Sequence, residues 1–233
     1  MRVKKAVTIA ARFTALFVGL GTANHAIAQD ARTPYPNMAP IEQYLMDRTA
    51  EIALARSAAP ESISRDAEVL VLGRHGFETA VKSKNGFVCI VERSWTSAPD
   101  PDFWNPKVRT PICYSPAAAH SYLPRTIKRT DLILAGRTKT HTDETIVAAV
   151  DKKELPAMEP GAMCYMMSKQ GYDGDSIEHC PPHLMFYFSQ TDPAIWAANL
   201  PGSPILAFND PSEHLTEFVV DVQRWSDGTE GRK

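Results

Sequence analysis

Two blocks of strand-like sequence, residues 68–91 and 162–222, flank a helical middle, and this grouping constrains the fold more than any other feature. Glu68-Val69-Leu70-Val71-Leu72 reads as a strand buried on both faces. Phe77, Thr79 and Val81 alternate with Glu78, Ala80 and Lys82, the period-two pattern of a half-exposed strand. Asn85-Gly86 is a strong hairpin signal, because both residues tolerate positive φ, and Phe87–Val91 is the returning strand. A three-strand meander is therefore expected to start the sheet. In the last third, Ala162–Ser168, His183–Gln190, Ile205–Phe208 and the alternating Phe218-Val220-Val222 stretch are further strands.

The helical signals lie between and before these blocks. Pro40 suits a first helical position, and Ile41, Tyr44, Leu45, Ile52 and Ala55 follow on one face at helical spacing. Arg48 interrupts that stripe and reads as an apolar stem with a solvated head. Ser115-Pro116 is an N-cap followed by proline at N1, and Pro124 kinks or restarts the helix it opens. Thr142-Asp143-Glu144 marks another start, with acids placed favourably against the helix dipole. A short helix opens at Asp192-Pro193. Elements grouped rather than strictly alternating predict an α+β fold: a single domain with a mostly antiparallel sheet and flanking helices.

The N-terminus reads as an address. Arg2, Lys4, Lys5 and Arg12 precede or open the short, mainly apolar run Phe13–Gly21, which leads to Ala26-Ile27-Ala28. A basic region, a short apolar region and a small-x-small site form the pattern of a secretory signal peptide. The expected organisation is a signal peptide over residues 1–28, an extended, mobile tether over 29–38 with Pro34 and Pro36, and one α+β domain over 39–233. The chain is then exported, to the periplasm or the extracellular medium, with no transmembrane segment in its mature part. Removing the four leader cations from 25 leaves 21 against 27 acids, a formal charge of −6. That balance disfavours nucleic acid and anionic membrane surfaces, which call for a basic face.

Four cysteines in an exported chain predict at least one disulfide. Short loops favour Cys89–Cys113 and Cys164–Cys180. Gly86-Phe87-Val88-Cys89 and Gly161-Ala162-Met163-Cys164 share a local setting, which also allows two adjacent strands to pair Cys89 with Cys164.

Three groups of residues are candidates for chemistry. Arg74-His75-Gly76, directly after the first strand, resembles the strand-then-Arg-His-Gly signature of the histidine phosphatase superfamily. That resemblance implies a secreted hydrolase in which His75 accepts a phosphoryl group and Arg74 binds the phosphate. Phe77–Val91 reads as a hairpin where that family has a helix, so a turn between strands is preferred. His179-Cys180-Pro181-Pro182-His183 brings together zinc or copper ligand types, His179 and His183 foremost, and implies a periplasmic metal-binding protein. The two prolines exclude the helix that would place both rings on one face. Trp95, Phe103 and Trp104 lie on a proline-rich loop as a ligand platform or as loop packing, with packing preferred. No complete catalytic set is present, which leaves enzyme activity undecided and the cofactor and ligand unassigned. The leading expectation is a binding or envelope-associated module with a small-molecule or protein partner.

Overall fold

The computed structural model describes residues 34–97 and 102–231. The predicted signal peptide and the first part of the tether lie outside the described residues. The chain forms, in order, α1 (Arg48–Arg56), α2 (Glu61–Ser64), β1 (Glu68–Gly73), β2 (Gly76–Val81), β3 (Val88–Glu92), α3 (Ser94–Ser97), β4 (Thr110–Tyr114), α4 (Pro116–Ser121), α5 (Leu123–Leu134), α6 (Lys139–Asp151), β5 (Met163–Met166), β6 (His183–Ser189), β7 (Ile205–Asp210) and β8 (Leu215–Asp221). The strands make one eight-stranded sheet in the order β2-β1-β3-β4-β5-β6-β8-β7. All neighbours are antiparallel except β1 and β3. The fold class is therefore α+β with a mostly antiparallel sheet. Among the described residues, no helix is long and apolar enough to cross a membrane.

The central strands are buried on both faces, and alternation along them sorts their side chains. Cys89, Val91 and Cys113 pack with Leu54 and Ala55 of α1. Val88, Ile90, Ile112 and Tyr114 point the other way and pack with Ala118 of α4 and Leu123 of α5. This is why β3 and β4 read as apolar runs rather than as alternating strands. Ser115 caps α4 by accepting from Ala118 N, and Pro124 restarts the chain as α5.

Several local readings are corrected. The expected meander is absent: β1 turns into β2 through Arg74 and His75, with Gly73 opposite Gly76. The chain then crosses β1 and pairs β3 with it in parallel. Asn85-Gly86 belongs to that crossing loop, because Asn85 Nδ2 donates to Ile63 O at 2.8 Å and Lys84 N to Asp66 O at 2.7 Å. The helix expected from Pro40 is a short 3-10 turn, Ile41–Gln43, and α1 begins only after Asp47, whose carboxylate accepts from Ala50 N. α6 starts at Lys139, earlier than Thr142, because the Thr138 hydroxyl caps His141 N. Within the part of the tether that is described, Tyr35 is held by a hydrogen bond to Asp175.

Cys89 and Cys113 face each other across β3 and β4 and form a disulfide. Cys164 and Cys180 are free. β4 separates Cys89 from Cys164, since Tyr114 is the register partner of Cys164, so the Cys89–Cys164 alternative fails. Cys164–Cys180 fails as well. Cys164 is opposite Met185, whereas Cys180 precedes His183, which pairs with Met166 toward the far end of β5. A disulfide needs the two Cα atoms within about 7 Å.

Candidate functional site

The sheet face beneath α4 and α5 carries acidic groups that the sequence patterns place among apolar neighbours. Glu92 ends the inward series Val88-Ile90-Glu92 of β3 and is 5% exposed. Glu217 lies on β8 in a cross-strand row with Tyr187 of β6 and Phe208 of β7. Above them, α5 presents Arg125, Thr126 and Arg129 on one face, the i, i+4 spacing of a helix. Tyr122 occupies the junction of α4 and α5 and stacks on Tyr187, with ring centroids 3.9 Å apart. The β7–β8 turn closes one side: Asp210 accepts from Ser212 N and Glu213 N and so fixes Glu213.

These groups line a partly open cavity of about 300 Å³. Its polar lining includes Glu92, Tyr122, Arg125, Arg129, Asp210, Glu213 and Glu217, and its apolar lining includes Ile112, Met185 and Leu215. The size is at the lower end of the range for small-molecule sites. Glu213 pairs with both cations. Its Oε1 is 2.6 Å from Arg129 Nη2, its Oε2 is 3.5 Å from Arg125 Nη1, and its carbonyl accepts from that same nitrogen at 2.9 Å. Arg129 also pairs with Asp143. The other two glutamates have no salt bridge among the described residues. Glu92 accepts from Tyr114 Oη at 2.5 Å and Thr126 Oγ1 at 3.4 Å. Glu217 accepts from Tyr122 Oη at 3.1 Å.

Burial dominates the electrostatics. Loss of water raises the Glu92 carboxyl above its ordinary value, against the opposing effects of the Tyr114, Thr96 and Thr126 hydroxyls and the Arg129 charge. Glu217 is pushed up to about 7, first by burial and then by the charges of Glu92, Glu213 and Asp210, with the Tyr122 hydroxyl pulling the other way. Tyr114, Tyr122 and Tyr187 are all raised by burial and stay as neutral donors. A cavity with carboxyls displaced toward neutrality beside fixed hydroxyl and guanidinium donors can bind a polar ligand, and it can exchange a proton with one.

The residues singled out from sequence lie elsewhere. His75 is exposed in the β1–β2 turn, and Arg74 pairs with Glu42 at 2.6 Å; neither lines the cavity. Gly76 has φ +129°, and a Cβ there would come within 2.8 Å of Asp131 Oδ1. The glycine of the motif thus has a backbone reason of its own. Trp95 is 1% exposed and donates to Thr130 Oγ1, and Phe103 is 4% exposed in the same cluster with Trp104 against its edge. Trp95 and Phe103 are therefore packing residues rather than an open platform. His179 Nδ1 donates to Gly171 O at 2.9 Å with its ring on Trp225, and His183 Nδ1 donates to Pro181 O at 2.8 Å. Among the described residues, no group of three or more His, Cys, Asp or Glu is arranged to hold a metal. Arg48 is exposed and reaches the Thr79 carbonyl at 3.5 Å, with its head in solvent.

Sequence reasoning missed the cavity, although two signals were present. Each is a glutamate in a strand of apolar residues: Glu92 after Val-Cys-Ile-Val and Glu217 within Leu-Thr-Glu-Phe-Val-Val. No family model, curated protein sequence or solved structure matches this chain. Its geometry alone carries the functional reading.

Proposed function

We propose that this is an exported binding protein that takes a small polar organic molecule into the cavity between α5 and the β6–β8–β7 end of the sheet. The observation that carries this reading is Glu217: a half-buried carboxylate that lines a partly open cavity, is held by the Tyr122 hydroxyl and has no salt bridge among the described residues. A carboxylate drawn out of water without a counter-charge costs folding free energy, and a ligand that supplies the charge recovers part of that cost. Export is supported by the leader pattern of residues 1–28 and by the Cys89–Cys113 disulfide, which fits an oxidising compartment. A screen of pooled polar metabolites against the purified protein, read by amide NMR, should shift resonances of α5 and β8. Met185→Trp, which fills the cavity from β6, should abolish those shifts and keep the remaining spectrum. An absence of any cavity shift across the screen would remove the proposal.

A second reading, acid–base catalysis, is favoured by one specific observation. Glu217 is held at about 7, the range in which a carboxyl both gives and takes a proton near neutral pH. Hydrolysis of glycoside or ester substrates by the wild type that disappears in Glu217→Gln would select this reading over simple binding.

A further inference from the structure

The cavity's own charges and vacant bonding positions specify more than polarity. Four acids line it, Glu92, Asp210, Glu213 and Glu217, against two cations, Arg125 and Arg129. Both cations are already paired with Glu213. The charged lining residues not paired in a salt bridge among the described residues are therefore acids: Glu92, Asp210 and Glu217. Glu217 Oε1 accepts from Tyr122 Oη, and among the described residues Glu217 makes no salt bridge. Tyr122 and Tyr187 also line the cavity, and aromatic rings attract organic ammonium groups.

A second feature is Arg125, which also lines the cavity. Arg125 is 5% exposed, and among the described residues its Nε–H has no hydrogen-bond partner, although both terminal nitrogens are used. A buried donor without an acceptor costs free energy until an acceptor arrives. The Ile112, Met185 and Leu215 side chains of the lining suit an aliphatic group.

Resting on the binding reading above, we infer that the ligand is an organic ammonium with an acceptor oxygen close beside it, an α-amino acyl group. Its ammonium sits against Glu217 and Glu92 and its carbonyl faces Arg125. The chemistry is shared by small amino acid derivatives and by the free amino terminus of a peptide.

Three matched probes test this by amide NMR titration of the purified protein. L-leucinamide has the ammonium, the carbonyl and an aliphatic side chain. N-acetyl-L-leucinamide lacks the charge, and 3-methylbutylamine lacks the carbonyl. The pH is set at about 7.5, between the Glu217 value of about 7 and the ordinary α-ammonium value of about 8. Leucinamide should bind at least about tenfold more tightly than either analogue, a difference expected from one charge-assisted contact. Glu217→Gln should reduce leucinamide to the affinity of the acetylated analogue, and undiminished leucinamide binding in this variant would overturn the inference. The substitution is isosteric, and amides far from the cavity report that the variant is folded. Leucyl-glycyl-glycine separates the two sources: it equals or exceeds leucinamide if a peptide terminus is the ligand, and binds more weakly if a free derivative is. Equal binding of leucinamide and its acetylated form would overturn the ammonium assignment and leave a binding cavity standing. Equal binding of 3-methylbutylamine would overturn the acceptor assignment. No cavity shift with any probe would overturn this inference, while the binding proposal falls only if the polar-metabolite screen also gives no cavity shift.

Discussion

Tyr122 Oη donates to Glu217 Oε1 at 3.1 Å, joining the start of α5 to a strand near the far edge of the sheet. The bond ties together two residues that are otherwise costly to bury. The tyrosine keeps its proton because burial raises it well above its ordinary value. It therefore serves as a fixed donor to a carboxyl that burial has also raised. Tyr122→Phe removes the one contact named here that pulls Glu217 downward. The Glu217 titration should then move up from about 7, by about one pH unit for the loss of a charge-assisted bond. Carboxyl-selective carbon NMR checks this. An unchanged or lowered midpoint would show that the hydroxyl does not serve the carboxylate.

The thiol chemistry follows from strand register. Cys89 and Cys113 are bonded, while Cys164 and Cys180 are free. Burial raises the Cys164 thiol first of all, and Cys180 is pushed up to about 12 by burial and by Asp173. Both react slowly in the folded protein, because the thiolate is the reactive form. Denaturation without reductant should release two titratable thiols. A count of zero or four would overturn the pairing.

Elements set by neighbouring residues were legible in the sequence. The Ser115 cap, the restart at Pro124 and the antiparallel strands of the last third each depend on a few adjacent side chains. The β1–β3 pairing was not. Asn85-Gly86 has strong turn chemistry, but the tight turn falls at Arg74-His75, between Gly73 and Gly76. Which of two competent turns closes a hairpin depends on where β1 finds its second neighbour, and no local pattern encodes that. The cavity was illegible for the same reason. Glu92, Arg125 and Glu217 come from β3, α5 and β8, and only the sheet order and the placement of α5 bring them to one face. The sequence showed them separately, as a glutamate at the end of an apolar strand, a helix cation and a glutamate in an alternating strand.

The buried Glu51–Arg93 pair holds α1 to the sheet. Glu51 Oε1 accepts from Arg93 Nη2 at 2.8 Å and from Leu72 N at 3.1 Å, while Arg93 Nε donates to Tyr44 O. The two side chains are 1% and 0% exposed. Glu51→Ala strands a guanidinium in the interior and leaves Leu72 N without its acceptor. The expected cost is about 3–5 kcal/mol, as for other broken buried pairs. Urea denaturation measures it, and a loss below about 1 kcal/mol, the scale of an exposed pair, would show that water reaches Arg93.

Glu217 gives stability a pH dependence whose sign is opposite to that of an ordinary salt-bridged acid. The folded carboxyl holds its proton to about 7, whereas the unfolded chain releases it near the ordinary value of 4.5. Between those values the unfolded state binds fewer protons, so stability falls as pH rises through the window. Below it both states are protonated, and above it both are ionised, so the contribution is flat on either side. Glu217→Gln removes the titration. Relative to wild type, the variant should gain stability between pH 4.5 and pH 7, by roughly 3 kcal/mol at the upper limit set by the two values. Denaturant melts of both proteins across that range read the difference directly. A wild type that gains on the variant as pH rises would place a cation beside Glu217 and remove the unmatched carboxylate on which the binding proposal rests.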